Sequence, residues 1–398
     1  MGIVLTPRST ASYPGVNRRV CAAAAVLSAL LVFLWMDAHI HYAFGGNWTA
    51  AFYTGTIFPV PPDIEAGTYR FRGPGYDGQF FRDLAQDPFL RKGYFRYVDY
   101  PQRRFRRLLV PLAAWLLGCG QRDWIDGAYV ALEMLFLALG VYWCARLLIR
   151  RGRSPLWGLL FVVVPAALAS FDRMLVDGPL TALFAGFLLY CEEERWNRVW
   201  VLAMLAALTR ETGLLLPAAL VLERLWHRDG HRALWFASSA IPAAAWYAYV
   251  AFRLPHDPPI SGLGFPGWGL LRRLFWFRPY PYSQFQFFLR VTDFLGVLGL
   301  AICIVIAVRW LWAGRPNAVT LSVALFAAVT VVLSSLPGYM TEAFAFARPV
   351  SPLLLWIMIE AVSRKKWAAL APPLLVSLSV SLVFGSQLVA VIRGILAR

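Results

Sequence analysis

The chain has 398 residues, of which 59% are hydrophobic and 15% charged, and its mean hydropathy is +0.57. Soluble domains are nearer half apolar and a quarter charged, so this composition excludes an ordinary soluble protein. A net charge of +16 would point to nucleic acid in a soluble chain. Here the basic residues lie mainly between hydrophobic runs, where membrane topology and anionic lipid explain them, and we expect no nucleic-acid partner.

Repeated apolar runs predict an all-α polytopic membrane protein, a single integral-membrane domain over residues 1–398 with about eleven transmembrane helices. The candidate spans are 20–38, 125–148, 156–171, 174–190, 199–210, 212–226, 233–252, 291–312, 318–336, 349–362 and 367–392. Several are shorter than the ~20 residues that a perpendicular helix needs. Some are therefore expected to be broken, re-entrant or buried by neighbouring helices.

The orientation follows from the basic residues of the short loops, which collect on the cytoplasmic side of a bacterial membrane protein. The first run follows Arg18 and Arg19 and lacks a convincing cleavage site, so we predict an uncleaved helix with a cytoplasmic N-terminus. The cytoplasmic loops then carry Arg146, Arg150, Arg151, Arg153, Arg195, Arg198, Arg224, Arg228, Arg232, Arg309, Arg315, Arg364, Lys365 and Lys366. The opposite face receives the loop 38–107, the segment 253–290 and the loop 337–348.

The first extracytoplasmic loop, residues 38–107, leads into a short apolar stretch with a basic beginning. Residues 105–118 are too short for an ordinary span, and we predict an interfacial helix lying at the membrane surface. From Asp37 to Arg107 there are ten basic and seven acidic residues. The excess of positive charge on this face indicates an anionic ligand.

An acid flanked by glycines and aromatic residues lies within this loop, in the segment Gly75-Tyr76-Asp77-Gly78-Gln79-Phe80-Phe81. The glycines let the backbone turn sharply and approach a ligand closely. The carboxylate of Asp77 could then accept a proton from an acceptor hydroxyl as a general base. The structural alternative is a turn aspartate that satisfies local backbone amides.

Two charged turns between hydrophobic runs are further candidates. The first contains Asp172, Arg173 and Asp177, and the second the adjacent pair Arg210 and Glu211. Asp177 would also suit a helix start as a partner of the helix dipole. Arg210 has a planar fork that matches phosphate, or the pair simply ends two short helices by snorkelling to the interface.

Arg348, in the last outer loop, is a second candidate phosphate ligand, with a solvated loop residue as the alternative. The predicted topology places it on the same face as Asp77 and the two charged turns. A pore would instead distribute its polar residues along the helices. Charges gathered at one end favour a lipid-linked substrate whose tail lies among the helices and whose phosphate lies at the surface.

No metal or other cofactor is indicated by the sequence. The string Asp37-x-His39-x-His41 has a spacing too weak to predict a metal site, and interfacial polar residues explain it better. No acidic pair indicates a bound divalent cation.

The segments 75–81, 100–111, 172–178 and 208–213 together resemble integral-membrane glycosyltransferases of the GT-C superfamily, especially bacterial members similar to the GPI mannosyltransferase II type. The likeness covers about residues 20–225, and the C-terminal half matches only in hydropathy. Two departures are that Tyr76 stands where many relatives have Trp, and that no His follows Asp77 at close spacing.

The resemblance implies a polyprenyl-phosphate-linked sugar as donor, used on the outer face of a bacterial inner membrane with inversion at the anomeric carbon. By that analogy Asp77 is the general base, and Arg173, Arg210 or Arg348 holds the donor phosphate. The full set of candidate substrate-binding residues is Tyr76, Gln79, Arg103, Arg104, Asp172, Arg173, Asp177, Arg210, Glu211 and Arg348.

Two other functions fit the same composition. A transporter or flippase of lipid-linked glycans would have charged residues along a path through the membrane and would tolerate the loss of Asp77. A structural partner of a cell-envelope complex would tolerate substitution of Asp77 as long as it folds.

Overall fold

A computed structural model describes residues 14–259, 264–276, 286–336, 338–340 and 343–397. These residues form α-helices and short 3₁₀ helices, and the only extended pairing among them is two isolated bridges, Thr54 with Gly75 and Gly55 with Phe71. The helices are α1 Pro14–Phe44, α2 Pro62–Glu65, α3 Asp77–Gln86, α4 Pro101–Phe105, α5 Leu109–Leu117, α6 Arg122–Arg150, α7 Pro165–Arg173, α8 Asp177–Glu192, α9 Trp196–Thr209, α10 Leu215–Trp226, α11 Gly230–Ala237, α12 Ile241–Arg253, α13 Trp268–Phe275, α14 Gln286–Trp312, α15 Ala318–Leu333, α16 Ala343–Ala347, α17 Ser351–Ser363 and α18 Ala371–Leu396. The predicted all-helical class is confirmed for the described chain.

Three described helices, α1, α6 and α14, are long and apolar enough to cross a membrane. A fourth candidate is the pair formed by the 3₁₀ helix Pro155–Phe161 and α7, which bends by 59° at their junction. The bend falls where Val164 is extended and Pro165 begins the next helix, since proline disfavours a helical conformation in the residue before it. By length and composition the described chain supports three or four spans, where the sequence predicts about eleven.

The shorter helices differ from the long ones in how deeply they are buried. All residues of α8 from Asp177 to Leu189 are buried, and so are all those of α17 from Ser351 to Val362. A helix that is apolar all round belongs in the interior of a larger bundle. These two helices form the centre of the main hydrophobic core, and the charged site described below lies where both begin.

The first loop is a folded cap. Helix α1 continues to Phe44, beyond the predicted end near residue 38, and stops at Gly45 and Gly46, both of which have positive φ. Helix α3 is buried from Gly78 to Gln86 and packs against α5 and α6. In place of one interfacial helix over 105–118, the chain forms α4 and α5 with a break at Arg106–Leu108.

The second predicted outer segment, 253–290, begins where α12 ends and contains α13. Residues 260–263 and 277–285 of this segment lie outside the described residues, as do 337, 341 and 342 of the last outer loop. Helix α13 packs against α14, and its buried Arg273 pairs with the buried Asp293 at 2.6 Å.

Candidate functional site

Asp77 is the first residue of α3, and the chain before it is held by a specific clamp. The side-chain amide of Gln79 donates to the carbonyl of Pro74 at 2.9 Å, and its oxygen accepts from the backbone N–H of Gly55 at 3.0 Å. Gly75 has φ +71° and lies against Gly55, where a side chain would collide. Gln79 was predicted as a substrate ligand. Its side-chain amide instead holds the turn before Asp77 in place.

Gly78 fixes the first turn of α3 against the end of α7. A Cβ atom at Gly78 would lie 2.1 Å from the carbonyl oxygen of Arg173. Only glycine allows this approach of two backbones. The close contact brings Asp77 towards the start of α8, although more than ninety residues separate the two elements in the sequence.

The carboxylate of Asp77 is held by arginines on both oxygens. Arg104 Nη2 lies 2.9 Å from Asp77 Oδ1, and Arg348 Nη2 lies 3.3 Å from Oδ2. Arg104 is itself fixed by Asp99, at 2.8 Å from Nε and 3.1 Å from Nη2. Asp77 and Arg104 thus join α3 to α4 within the cap, and Arg348 connects the cap to the membrane bundle.

Asp177 is the second carboxylate of the site and the first residue of α8. Its side chain is 2% exposed, and it pairs with Arg210 through Oδ1 and with Arg348 Nη1 at 3.2 Å through Oδ2. Arg348 also reaches Asp77 with that same Nη1 at 3.4 Å. One guanidinium therefore bridges two carboxylates from different parts of the chain, and its contacts to them are at the long end of the hydrogen-bonding range.

Arg210 lies in extended backbone between α9 and the 3₁₀ helix Glu211–Leu214. The following turn is tight, since a Cβ at Gly213 would lie 1.8 Å from the carbonyl oxygen of Ala206. Beside Arg210, Glu211 accepts from Arg107 Nε at 3.2 Å. This turn supplies one arginine to Asp177 and one carboxylate to the cap, and thereby connects the two.

Four arginines and four carboxylates make up this charged cluster. They are Arg104, Arg107, Arg210 and Arg348, with Asp77, Asp99, Asp177 and Glu211. The network is electrically balanced and is buried or half-buried throughout. Isolated charges are unfavourable in such a place, so each of these groups depends on its partners.

The charges around Asp77 determine its protonation state. Burial raises the pKa of the Asp77 carboxyl, but Arg104, Arg348 and Arg107 outweigh burial and hold that pKa well below its usual value. Asp77 is therefore an ionised and weak base as long as both arginines remain in place.

Three of the predicted substrate ligands have other partners. Tyr76 presents its ring to the guanidinium of Arg173 at 4.3 Å and to that of Arg348 at 5.0 Å. Arg173 pairs with Asp172 at 3.1 Å, and Asp172 also accepts from the side chain of Gln387 in α18. Tyr76 and Arg173 thus border the cluster, and Asp172 ties α7 to α18.

Arg103 lies apart from the cluster. Its guanidinium stacks on the ring of Tyr100 at 4.6 Å. The backbone N–H groups of Gln102 and Arg103 donate to the carboxylate of Asp257 at 3.0 and 2.9 Å. An acid at a helix start satisfies free N–H groups, so Asp257 anchors α4 to the segment after α12.

Sequence reasoning did not single out Asp99, Arg107 as an ion-pair partner, or Tyr339. The spacing from Asp99 to Arg104 gave a weak signal, since five residues separate a carboxylate from a basic run. Tyr339 gave none, although its hydroxyl oxygen is buried without a hydrogen-bond partner among the described residues. In the described part of the chain, no group of three or more His, Cys, Asp or Glu residues is placed to hold a metal ion.

Comparison of the chain with protein-family models, with curated proteins and with solved structures finds no match. The chemistry of the site must therefore be argued from its own geometry.

Proposed function

We propose that this protein is a GT-C-type membrane glycosyltransferase that moves a hexose or pentose from a polyprenyl-phosphate donor to a lipid, glycan or protein acceptor. In this proposal it is a protein of the bacterial inner membrane with a cytoplasmic N-terminus and about eleven spans, the shorter helices being counted among them. The reaction takes place on the extracytoplasmic face beneath the cap formed by the first loop. The resemblance of segments 75–81, 100–111, 172–178 and 208–213 supports the assignment.

One observation carries the proposal: a half-buried Asp77 and two arginines with affinity for phosphate meet at one end of the bundle. Asp77 comes from the cap, Arg210 from the turn after α9, and Arg348 from the turn before α17. Arginine forks bind phosphate oxygens with two parallel hydrogen bonds. A carboxylate beside them is placed to take a proton from a hydroxyl.

The reaction proceeds by direct displacement. Asp77 takes the proton of the acceptor hydroxyl, and the acceptor oxygen forms a bond to the anomeric carbon. The bond from that carbon to the phosphate oxygen breaks, and its electron pair leaves with the polyprenyl phosphate. Arg210 and Arg348 stabilise the negative charge that develops on this leaving group. Attack opposite to the leaving group gives inversion.

Arg348 has a further role in this proposal, because Asp77 and the donor phosphate compete for its guanidinium group. Its contacts to Asp77 are 3.3 and 3.4 Å long, whereas Arg104 is held by Asp99 at 2.8 Å. An arriving phosphate would therefore draw Arg348 away from Asp77 and leave Arg104 in place. Loss of one cationic neighbour raises the pKa of Asp77, so donor binding makes the carboxylate a better base.

The test is transfer by the purified protein in lipid nanodiscs, with polyprenyl-phosphate sugars and candidate acceptors. We expect Asp77→Asn to lower the rate by about 10²- to 10⁴-fold, the usual contribution of a positioned base. Asp123→Asn is the matched control, since Asp123 is 86% exposed and pairs only weakly with its neighbour Arg122. Full activity of Asp77→Asn would contradict the assignment of the base.

A transporter of lipid-linked glycans gives a different result in the same preparation. It would move a fluorescent lipid-linked sugar across a liposome bilayer without any acceptor, and Asp77→Asn would leave that movement unchanged. Such movement, together with no transfer to any acceptor, would replace the glycosyltransferase proposal by the transporter.

A further inference from the structure

Tyr339 carries a buried polar atom that has no hydrogen-bond partner in the described part of the chain. That atom is its hydroxyl oxygen, which is inaccessible to solvent. The residue lies in the turn between α15 and α16, where its backbone N–H donates to the carbonyl of Leu336 at 3.1 Å. Its side chain packs against the main hydrophobic core. Buried hydroxyls are nearly always hydrogen-bonded, so an exception calls for an explanation.

The surroundings of the hydroxyl explain which partner is missing. The positive charges of Arg210 and Arg348 both act on the phenol of Tyr339. Guanidinium groups only donate hydrogen bonds, so neither arginine can accept the phenolic proton. Burial raises the pKa of Tyr339, even though both arginines lower it, and the phenol therefore stays protonated as a neutral donor. An acceptor that would suit both this hydroxyl and the two guanidinium groups is an anion.

We propose that the Tyr339 hydroxyl donates a hydrogen bond to the phosphate of the lipid-linked substrate, beside Arg210 and Arg348. This inference rests on the proposed function and adds a ligand to its phosphate site. Tyr339 and Arg348 lie on either side of α16, so the same short segment carries both the hydroxyl and the guanidinium group. A neutral donor strengthens phosphate binding without adding charge to a cluster that is already balanced.

A second tyrosine near the cluster provides a matched control. The hydroxyl of Tyr247 donates to the carbonyl of Ala207 at 2.8 Å, and its ring lies against the guanidinium of Arg106 at 5.6 Å. Its hydrogen bond is already made in the free protein. Removing each hydroxyl should therefore affect different properties: stability for Tyr247→Phe and phosphate binding for Tyr339→Phe.

The experiment measures the melting temperature of wild type, Y339F and Y247F in detergent, titrated with dodecyl phosphate and, as a neutral control, dodecanol. We expect dodecyl phosphate to stabilise the wild type, whereas dodecanol does not. Y339F should melt no lower than wild type and bind dodecyl phosphate roughly ten- to a hundredfold more weakly, as for one lost hydrogen bond to a charged acceptor. Y247F should melt lower and keep the wild-type affinity.

Two results would overturn the inference, and they differ from failure of the proposed function. Equal affinity of Y339F and wild type would show that the hydroxyl does not contact the phosphate, and the glycosyltransferase proposal would stand. A melting temperature of Y339F lowered as far as that of Y247F would show that the hydroxyl has a structural partner instead. If dodecyl phosphate fails to stabilise the wild type at any concentration, the phosphate site itself is wrong and both proposals fall.

Discussion

Helices α8 and α17 have a charged cluster at each end, and the two clusters are built differently. At their C-terminal ends, Arg151 of the turn after α6 contacts Glu192 of α8 at 2.6 Å and Glu360 of α17 at 2.7 Å. Glu360 also accepts from Arg364 at 2.7 Å. These short contacts tie three helix ends together, and a cation there also complements the helix dipoles.

At the opposite ends of α8 and α17 the contacts of the central arginine, Arg348, are longer. Arg348 divides its guanidinium between Asp77 and Asp177 at 3.2 to 3.4 Å. A buried tyrosine hydroxyl beside it has no partner among the described residues. The C-terminal cluster fits a structural tie, and the N-terminal cluster fits a site that exchanges partners when a ligand binds.

The comparison also shows that the presence of charged residues does not by itself distinguish a ligand site from a structural ion-pair cluster. Both clusters contain arginines and carboxylates at helix ends, although the helix dipole favours carboxylates only at N-terminal ends and arginines only at C-terminal ends. The separating observation is the length of the contacts that the central arginine makes with its carboxylates. A ligand site is expected at the end where ion pairs are loose enough to open.

Removal of the central arginine at each end should give the largest difference between the two clusters. Arg348→Ala should weaken dodecyl phosphate binding roughly tenfold to a hundredfold, because a charged hydrogen-bond donor is lost. It should also destabilise the protein by about 3 kcal/mol, since the buried Asp177 loses one partner. Arg151→Ala should cost a similar stability but leave phosphate binding unchanged. Ligand titrations monitored by thermal unfolding measure both effects, and a loss of phosphate affinity in Arg151→Ala would reverse the comparison.

The backbone contact below Asp77 should give the next largest effect. In Gly78→Ala the new Cβ would lie 2.1 Å from the carbonyl of Arg173, so α3 must move away from α7. We expect a loss of about 1–3 kcal/mol in unfolding free energy, together with weaker phosphate binding. Gly127→Ala, in the second turn of α6 where a Cβ meets no atom within 4 Å, is the control and should stabilise slightly. Equal melting temperatures for Gly78→Ala and wild type would show that the cap does not depend on this contact.

The smallest predicted effect is that of pH on the contribution of Asp77. Its folded pKa is lowered by Arg104 and Arg348, so its stabilisation is fully present above the unfolded value of about 4 and is lost only as pH falls further. The difference in melting temperature between wild type and Asp77→Asn should therefore stay constant from roughly pH 7 down to pH 5. A difference that shrinks within this range would mean that the arginines do not hold Asp77 in its ionised form.

Much of the site could be predicted from the sequence, because topology alone restricts where charged turns can lie. Asp77, Asp177, Arg210 and Arg348 were placed on one face by the distribution of arginines, and the structure brings them into contact. Their individual pairings could not be predicted. Which carboxylate an arginine meets depends on the packing of elements far apart in the sequence, as in the pairing of Arg348 with Asp77.

Other details depend on local geometry that has no sequence signal. The amide of Gln79 is used by the turn before Asp77 because Gly55 lies beside it, and this placement is set by a bridge between Thr54 and Gly75. The helical class followed from hydropathy and is confirmed for the described chain, whereas the count of about eleven spans is not confirmed. Helices such as α8 and α17 are apolar because they lie in the protein interior, and a hydropathy profile does not separate burial in protein from burial in lipid.

The most direct test of the account is a density map of the purified protein with bound dodecyl phosphate, since the two ends of the bundle predict different positions for the phosphate. We predict density for the phosphate between Arg210 and Arg348, within hydrogen-bonding distance of Tyr339, with Arg348 drawn away from Asp77. A phosphate bound at the opposite end, beside Arg151, would contradict both the assigned site and the predicted orientation in the membrane.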